Sequence, residues 1–335
     1  MTVLLTGGAG YIGSHMAARL LAMEIDFVVV DNLSNSDKRN LNALQLHFKK
    51  EIKFVQCDIR DRVPMQALFK HHKINSVIHF ASLKSVEESV RQPLLYEKNN
   101  VQGACELIDI AKKFEVQNFI FSSSACVYGE PITLPIDEAH RIKPATPYGQ
   151  NKVAIETILK EDPYFTSHCR TTILRYFNPI GAFTDGLIGE TPRGMPCNLM
   201  PNILGVVKQD YPYLRVFGDD YATPDGSAVR DYIHIMDLVD AHLLALKDGL
   251  LGVTTFNVGT GQGYSVWEII DALEKVNQTE IPTKVLARRE GDVGSCYADN
   301  QKIIQELGWK PRRDLYQMCR DAYLFASLSR RPDDK

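Results

Sequence analysis

The sequence lacks a hydrophobic run long enough to cross a membrane. Its most apolar early stretch, residues 20–30, is interrupted by Glu24 and Asp26, whereas a spanning helix needs about 20 predominantly apolar residues. The first residues also lack the basic region and apolar run of a signal peptide. We therefore expect no membrane span and a cytoplasmic protein.

An excess of either charge is also missing. The 38 Lys and Arg residues against 41 Asp and Glu give a net charge of -3, which offers no electrostatic reason to bind nucleic acid. The 7 cysteines include no Cys-x-x-Cys pair, and the 9 histidines include no His-x-x-x-His spacing. These patterns predict reduced thiols, no disulfide framework and no metal site.

The sequence does contain an alternation of short β-branched runs with amphipathic stretches. Its 335 residues suit two domains of about 150 residues each. Strands are predicted at residues 3–6, 27–31, 53–57, 76–81, 118–123 and 172–176, and helices at 12–23, 62–71, 94–114 and 147–160. This alternation is typical of an α/β fold with a Rossmann-like doubly wound parallel sheet, in which crossover helices cover both faces.

The character of the sequence changes after Phe177. Residues 181–226 are rich in Gly, Pro and Asp, which indicates substrate-binding loops. Helices are predicted at 199–208, 235–247, 266–276 and 300–307, and a strand at 254–258. We assign residues 1–177 with about 229–260 to a dinucleotide-binding domain, and about 178–228 with 261–330 to a smaller, interleaved α/β substrate domain.

Three glycines, Gly7, Gly10 and Gly13, follow the first predicted strand and open the first predicted helix. Glycine permits a sharp turn and lets a pyrophosphate approach the amides at the positive end of a helix. Such turns also occur in plain loops, but strand, turn and helix together predict a dinucleotide site. Asp31 ends the second predicted strand, where a carboxylate binds the adenosine ribose and repels the extra phosphate of NADP. NAD is therefore favoured; the alternative for Asp31 is a turn cap.

A phenol and an ammonium lie four residues apart at Tyr148 and Lys152, and hence on one helix face. A nearby cation, aided by the positive nicotinamide of the cofactor, favours the phenolate form of tyrosine, whose ordinary pKa is ~10, so Tyr148 is a candidate base for removing an alcohol proton. Residues 122–124 are serines at the carboxyl end of a predicted strand, where ligands of open α/β sheets bind. Taken singly, the first feature would indicate an ordinary exposed Tyr–Lys pair, and the second would indicate serines that only hydrogen-bond backbone groups. Together they are a more specific sign of a catalytic site.

Seven ordered motifs carry a resemblance to a known family. They are T-G-G-A-G-Y-I-G-S-H from Thr6, H-F-A-S-L-K-S-V from His79, S-S-S-A-C-V-Y-G from Ser122, P-Y-G-Q-N-K from Pro147, R-Y-F-N-P-I-G-A from Arg175, R-D-Y-I-H-I-M-D-L from Arg230 and R-R-E-G-D from Arg288. In these motifs the chain closely resembles the nucleotide-sugar branch of the extended short-chain dehydrogenase/reductase family, in particular the members that epimerise UDP-hexoses. The resemblance runs from the glycine turn to about Trp309.

The resemblance implies an NAD site, a UDP-sugar site and a catalytic group of Tyr148, Lys152 and Ser124. The residues implied to hold NAD, besides the three glycines, are Tyr11, Ile12, Asp31, Asn32, Leu33, Ser34, Asn35, Ser36, Asp58, Ile59, Phe80, Ala81, Ser82, Leu83, Lys84, Asn99, Ser124, Tyr148, Lys152 and Phe177. The residues implied to hold the UDP-sugar are Lys84, Ser124, Tyr148, Asn178, Asn198, Leu199, Val216, Phe217, Arg230, Arg289, Asp292 and Cys296. By pattern alone, Lys84 is typical of a solvated lysine and Asn99 of a locally bonded helix asparagine.

The activity implied is 4-epimerisation of UDP-hexoses through a transient 4-keto sugar, with NAD tightly bound and recycled. Two alternatives stay open: a net NAD-dependent oxidoreductase acting on a nucleotide sugar, and a non-catalytic NAD-binding sensor. Relatives that dehydrate or decarboxylate the same intermediate usually carry an acid just after the strand hydroxyl. This chain has Ala125 and Cys126 there, which disfavours both reactions. Because these relatives are commonly homodimers, we expect a homodimer here.

One position bears on which sugars fit. In epimerases of this kind, the residue four positions after the aspartate of R-R-E-G-D lies beside the C2 substituent of the sugar. Here it is Cys296, which is smaller than the tyrosine of enzymes restricted to glucose and galactose. The resemblance thus implies that UDP-N-acetylglucosamine and UDP-N-acetylgalactosamine are interconverted as well as UDP-glucose and UDP-galactose. The alternative is that Cys296 is neutral in a glucose-only enzyme.

Overall fold

Strands and helices alternate through the first half of the chain, as the hydrophobic pattern predicts. The structure is a computed structural model that describes residues 1–194, 196–289 and 291–329, so Glu290 of the R-R-E-G-D motif and the predicted boundary at Arg330 lie outside the described residues. The strands are β1 (Thr2–Thr6), β2 (Asp26–Asp31), β3 (Lys53–Gln56), β4 (Ser76–His79), β5 (Asn118–Ser124), β6 (Arg170–Tyr176), β7 (Asn178–Ile180), β8 (Leu214–Phe217), β9 (Val229–His234), β10 (Gly252–Val258), β11 (Gly263–Ser265), β12 (Thr283–Leu286) and β13 (Ser295–Cys296). The helices are α1 (Tyr11–Ala22), α2 (Arg39–Phe48), α3 (Arg62–His72), α4 (Val86–Arg91), α5 (Pro93–Tyr96), α6 (Gly103–Lys113), α7 (Pro147–Glu161), α8 (Pro163–Ser167), α9 (Leu199–Val207), α10 (Ile235–Asp248), α11 (Val266–Asn277), α12 (Gln301–Leu307) and α13 (Leu315–Leu328).

The main sheet has seven strands in the order β3-β2-β1-β4-β5-β6-β10, and every neighbouring pair in it is parallel. The chain moves outward from β1 to β2 and β3, then returns to place β4 on the other side of β1. Ligands of open α/β sheets bind where the strand order reverses in this way, at the carboxyl ends of the strands. The predicted doubly wound α/β fold is confirmed.

Both faces of this sheet are buried, because alternate side chains of each strand enter different clusters. In β1, Val3 and Leu5 pack in the cluster that contains α1 and α10. Leu4, between them, packs in the opposite cluster with residues of α3, α6 and α7. Continuous Val/Leu/Ile runs are the sequence pattern of strands covered on both sides.

A second, smaller unit forms around β9. This strand pairs with β11, β13 and β7, and a separate parallel pair joins β8 to β12. The sequence analysis assigned residues from about 229 onward to the first domain, but β9 (Val229–His234) lies in the small sheet. The chain rejoins the main sheet through α10 and β10, since helix α10 packs in the main core. The domain division as a whole stays a prediction.

The remaining differences concern helices. The helix predicted at 94–114 consists of α5, a π-helical segment at Glu97–Gln102 and α6. The sequence analysis missed α2, α4, α8 and α13. The buried positions of α2 are only Asn40, Leu41 and Leu44, and α4 has only 6 residues, so neither has a strong apolar period. Within the described residues, no helix combines the length and apolarity needed to span a bilayer.

Asp237 on α10 connects the C-terminal segment to the main core. Its buried carboxylate accepts hydrogen bonds from the amides of Arg312 and Arg313, each at 3.0 Å, and pairs with the Arg313 guanidinium. The Asp237 carbonyl accepts a bond from the Trp309 indole at 2.9 Å. One carboxylate therefore satisfies three donors at the start of the segment that leads into α13.

We predict that Asp237→Ala lowers the free energy of unfolding by about 2–4 kcal/mol, because it leaves buried donors and a guanidinium without their partner. Urea unfolding followed by circular dichroism measures this change. Asp248→Ala, at the exposed end of the same helix, is the matched control and is expected to change stability by less than about 0.5 kcal/mol. Equal effects of the two substitutions would contradict the assignment.

Candidate active site

The candidate site lies along the carboxyl ends of β1, β2, β4, β5 and β6, where the strand order reverses. Parallel strands end at the same edge of a sheet, so residues far apart in sequence meet there. The glycine turn follows β1, Asp31 ends β2, and the segment 80–84 follows β4. Ser124 ends β5. The structure therefore brings the predicted cofactor and catalytic residues to one edge.

The glycine turn is closely packed on one side and open on the other. Gly7 has a φ of 68°, and a Cβ atom there would lie 2.6 Å from the Ala81 amide nitrogen. A Cβ on Gly10 would meet, among the described residues, only the Gly7 oxygen at 3.3 Å. Helix α1 begins at Tyr11 with Gly10 as its N-cap and no side-chain cap. The first amides of α1 thus form a positive end suited to a pyrophosphate.

Asp31 contacts the glycine turn and its own following turn. Its carboxylate accepts bonds from Ala9 N at 3.0 Å, Leu33 N at 2.9 Å and Ser36 Oγ at 2.7 Å. The turn-cap interpretation is therefore correct for these contacts, and the ribose role stays a prediction. Next to it, Asn32 Nδ2 donates to Asp58 at 2.9 Å.

Asp58 is part of a local pair with an arginine. Its carboxylate accepts bonds from Arg60 Nε at 2.8 Å and Nη2 at 2.7 Å. The Arg60 guanidinium thereby holds the pKa of Asp58 well below its usual range. Ile59, between them in the chain, is buried. The carboxylate that the resemblance implies to hold NAD is thus kept ionised and oriented by the protein itself.

The loop after β4 is held by an asparagine that the sequence analysis did not select. Asn100 accepts a bond from Leu83 N at 2.8 Å and donates to Leu83 O at 3.0 Å. Asn99, which was selected, donates to Asn100 Oδ1 at 3.0 Å, in line with the local-bond alternative. Both lie in the π-helical segment. Such segments frequently occur at functional sites, but the sequence gives no reliable sign of them.

Lys84 is half-exposed and forms an ion pair with Glu190 at 2.8 Å. The Glu190 carboxylate raises the pKa of Lys84. Glu190 was not among the predicted residues, because nothing in a glycine- and proline-rich segment indicates where a glutamate will lie. Asn198 also approaches Glu190, with 3.5 Å from its Nδ2 to Oε1. The pair brings a residue of each predicted domain to the same edge of the site.

Ser124, Tyr148 and Lys152 meet where α7 packs against the end of β5. Helix α7 begins just before Tyr148, with Pro147 at its first position. Thr146 caps the helix, because its side chain accepts a hydrogen bond from Gly149 N at 3.3 Å. The Lys152 ammonium lies 5.6 Å from the centre of the Tyr148 ring. Lys152 is buried, so an ordinary exposed Tyr–Lys pair is ruled out.

Burial has the largest effect on the pKa values of Tyr148 and Lys152. Burial raises the pKa of Tyr148 above its ordinary value, although a hydrogen bond with Ser124 opposes the change. Burial also lowers the pKa of Lys152 to about 7, and its ammonium donates to the Ser122 carbonyl at 2.8 Å. Desolvation therefore dominates the pKa of both groups, and the combined effect of the lysine and the nicotinamide on Tyr148 stays a prediction.

A buried ion pair joins α7 to β6 one helix turn after Lys152. Glu156 on α7 accepts bonds from Arg175 Nε at 3.0 Å and Nη2 at 2.6 Å, and from Ser123 Oγ at 2.6 Å. Arg175 also donates to Tyr128 Oη at 2.9 Å. The sequence could have indicated Glu156, since it lies four residues after Lys152 and so on the same helix face. Nothing in the sequence indicated that Arg175 on β6 is its partner.

Charged residues of the second unit face the same region. Arg230 pairs with Asp292 at 3.3 Å, and the Arg289 guanidinium lies 3.8 Å from the centre of the Phe217 ring. Both Arg230 and Asp292 lie close enough to Cys126, beside Ser124, to affect its pKa. That Arg230 and Arg289 bind the diphosphate of the substrate stays a prediction.

Cys296 lies where the two units meet. It is buried in a cluster with Val127, Tyr128 and Phe177, and burial raises the pKa of its thiol to about 12. It pairs with Arg230 across β9 and β13. The cysteine is therefore a neutral, small side chain beside a charged one.

Asp231 supports this strand, although the sequence analysis did not select it. Its carboxylate accepts bonds from the amides of Thr260 at 2.7 Å, Gly261 at 3.0 Å and Ala298 at 3.1 Å. Burial nevertheless raises its pKa to about 6. Ala298 is two residues beyond Cys296, so this carboxylate fixes the strand that carries the cysteine.

Other predicted substrate residues lie in the second unit without a side-chain contact to the catalytic group among the described contacts. Asn178 begins β7, Asn198 and Leu199 begin α9, and Val216 and Phe217 end β8. Ala81 and Ser82 lie in the loop after β4, and Ser34 and Asn35 in the turn after β2. Their roles stay predictions.

The residues present fit a dinucleotide. An uncapped helix end, a glycine turn whose outer side admits a phosphate, and a carboxylate at the end of β2 are the features that such a ligand needs. The same edge then adds a phenol and an ammonium one helix turn apart on α7 and a hydroxyl at the end of β5. This arrangement can take a proton from an alcohol and return it.

Comparison with known proteins agrees with this geometry. A family model described as GDP-mannose 4,6 dehydratase matches residues 4–322. The UDP-glucose 4-epimerase of Pasteurella multocida is 48% identical over 326 residues, which are 96% of this chain and 96% of that protein.

Solved structures are also similar. The UDP-glucose 4-epimerase of Stenotrophomonas maltophila, with bound NAD and formylated UDP-arabinopyranose, has a TM-score of 0.95 and 44% identity and covers 98% of each chain. That of Bifidobacterium longum, in complex with NAD+ and UDP, has a TM-score of 0.94 and 41% identity, covering 98% of this chain and 99% of the other. The chain belongs to the UDP-glucose 4-epimerases of the extended short-chain dehydrogenase/reductase family.

Proposed function

We propose that this protein is an NAD-dependent enzyme that interconverts UDP-galactose and UDP-glucose. The observation that carries the proposal is the meeting of Ser124, Tyr148 and Lys152 at the end of β5, on the same sheet edge as the uncapped start of α1. Membership of the epimerase family supports the same activity. The residue roles and the division into an NAD-binding and a UDP-sugar-binding domain, as predicted from the sequence, form part of this proposal.

In the proposed reaction, Tyr148 accepts the proton of the sugar C4 hydroxyl and Ser124 hydrogen-bonds the same oxygen. When bound, NAD supplies a positively charged ring that favours the phenolate, and it accepts and returns a hydride. The sugar passes through a 4-keto form, and Tyr148 returns its proton once the other face is presented. Lys152 in its ammonium form stabilises the phenolate. There is no net oxidation, so the cofactor stays bound through turnover.

The sugar must turn within the pocket, so the tight contacts belong on the UDP part. Arg230 and Arg289 are the candidate diphosphate ligands, because a guanidinium binds phosphate oxygens in a fork geometry. Asp292 holds Arg230 at 3.3 Å and thereby orients it. Anchoring the nucleotide leaves the hexose free to present either face.

We predict that the purified protein converts UDP-galactose to UDP-glucose with no added NAD, as followed by proton NMR. Tyr148→Phe removes the proton acceptor and is expected to lower turnover at least ~100-fold while NAD stays bound. Tyr213→Phe, in the second unit, is the control that should keep full activity.

The outcomes separate the alternatives. A net oxidoreductase would consume added NAD in proportion to product. A non-catalytic NAD-binding sensor would bind NAD and leave both sugars unchanged. Wild-type activity in Tyr148→Phe would contradict the assigned base.

We propose further that UDP-N-acetylgalactosamine and UDP-N-acetylglucosamine are also interconverted. The position of Cys296 at the meeting of the two units, beside Arg230, supports a site near the sugar. A cysteine leaves more volume there than a tyrosine does, and a pocket that lacks volume for an N-acetyl group rejects it.

We predict that Cys296→Tyr abolishes turnover of UDP-N-acetylgalactosamine and spares that of UDP-galactose, because the phenol ring fills the space for the N-acetyl group. Proton NMR with each substrate in turn measures both activities. Cys296→Ala removes the thiol without adding volume, so it should keep both. Retained hexosamine turnover in Cys296→Tyr would refute the wide pocket.

We propose that the protein is a homodimer. The supporting feature is an apolar surface on α4 and α5, which pack against α7. Val90 and Leu94 lie there with 57% and 77% of their surface exposed. Exposed apolar groups of this kind mark interaction surfaces, and helices paired across a two-fold axis bury such a surface.

The seven free thiols support a reducing compartment, and we propose the cytoplasm.

We predict that the double substitution Val90→Glu and Leu94→Glu converts the dimer to a monomer, because it would bury carboxylates without partners. Size-exclusion chromatography with light scattering measures the mass. Leu46→Glu, on α2 at the other side of the sheet and 80% exposed, is the matched control and should not change the mass. A double variant that stays dimeric would show that this surface is not the interface.

A further inference from the structure

Three consecutive serines at the end of β5 contact three residues of α7 that are spaced four apart. The Ser122 carbonyl accepts a bond from Lys152 at 2.8 Å. Ser123 Oγ donates to Glu156 at 2.6 Å, and Ser124 lies close enough to Tyr148 to lower its pKa. Residues four apart share a helix face. The strand end and this helix face are therefore joined at three successive points, of which only the first two helix residues have a proposed catalytic role.

The third point, Glu156, is the most constrained. Its Oε1 accepts bonds from Ser123 Oγ and from Arg175 Nε at 3.0 Å, and its Oε2 accepts from Arg175 Nη2 at 2.6 Å and from Lys160 Nζ at 2.8 Å. The side chains of Glu156 and Arg175 are only 4% and 2% exposed. Four donors occupy the lone-pair sites of the carboxylate. These bonds fix the orientation of the carboxylate and leave no site on it for a water molecule.

We propose that Glu156 is a positioning residue for Tyr148 and Lys152: it fixes α7 against β5 and β6 and provides the negative charge that keeps Lys152 an ammonium. The proposal rests on the proposed function, in which Lys152 acts in its charged form. It goes beyond that function in assigning a role to a residue that does not touch the substrate.

The charge argument depends on distance and on the neighbouring groups. Residues four apart on a helix are separated by about 6 Å along its axis, and within protein such charges interact strongly. Burial lowers the pKa of Lys152, and Glu156 opposes that change together with Cys126. The Tyr148 ring faces Lys152 from the same helix.

The other titratable group that faces Lys152 is His79 on β4, whose burial lowers its pKa to about 3 and leaves it neutral near pH 7. Glu156 itself faces the cations Arg175 on β6 and Lys160 on α7. Removing the carboxylate thus leaves the buried Arg175 charge unbalanced. That effect and the loss of the nearby anion both favour neutral Lys152.

The test is the pH dependence of UDP-galactose turnover in the NAD-loaded enzyme. For Glu156→Gln we expect the alkaline limb of the kcat profile to move to lower pH by about one unit, since Lys152 loses its proton more easily. We expect kcat at neutral pH to fall at least ~10-fold with KM changed less than about 2-fold. NAD content and circular dichroism, measured in parallel, show whether the fold and the cofactor site persist.

Three variants separate positioning from general stability. Glu156→Asp keeps the charge and should keep the wild-type alkaline limb while lowering kcat. Ser123→Ala removes one bond to the carboxylate but no charge, so its limb should also stay in place. Glu161→Gln removes an exposed carboxylate of the same helix and should leave both the limb and kcat unchanged.

The proposal is overturned if Glu156→Gln is folded and keeps the wild-type kcat and pH profile, or if its activity falls only in step with its thermal stability while the limb does not move. If Glu156→Gln does not fold, Glu156→Asp and Ser123→Ala decide the question. Unchanged kcat in both would overturn the proposal. Failure of the proposed function itself is distinct, since it would appear as absence of conversion by the wild-type protein.

Discussion

The packing of α7 against the ends of β5 and β6 is the constraint on which the rest of the site depends. Tyr148 and Lys152 lie on that helix, and Ser124 lies on the strand it contacts. The buried pair of Glu156 and Arg175 holds the two together. A buried ion pair contributes little net stability compared with apolar packing, but it allows only one arrangement of its partners. In our proposal, that arrangement positions the phenol and the ammonium beside the hydroxyl.

The same edge of the sheet is completed by the second unit. The Tyr11 hydroxyl, from the start of α1, donates to the Gly181 carbonyl at 2.7 Å, and Lys84 pairs with Glu190. Cys296 packs against Tyr128 and Phe177. Contacts between the two units therefore surround the residues proposed to bind the cofactor and sugar. A reaction in which the sugar must turn needs a firm nucleotide site beside a roomier sugar site, and two interleaved units can provide both.

The electrostatics of the site are those of a desolvated pocket. Burial raises the pKa of Tyr148 and lowers that of Lys152, so each group is held towards its neutral form. In the proposed reaction, the base therefore needs an additional positive charge that favours the phenolate. The proposed cofactor carries such a charge in its oxidised form only, which links proton transfer to the redox state of the bound cofactor.

Much of this could be predicted from the sequence, because it depends on local patterns. The β-branched runs determined the strands of the main sheet, the glycine turn determined where the uncapped α1 begins, and the four-residue spacing placed Tyr148 and Lys152 on one face. Only the tertiary structure decided that β9 belongs to the small sheet, that Asn100 rather than Asn99 holds the loop after β4, and that Arg175 and Ser123 are the partners of Glu156. It also decided the pKa directions. The physical reason is that periodicity and spacing report neighbours along one helix or strand, whereas partners from different strands, and the water they exclude, exist only after the chain has folded.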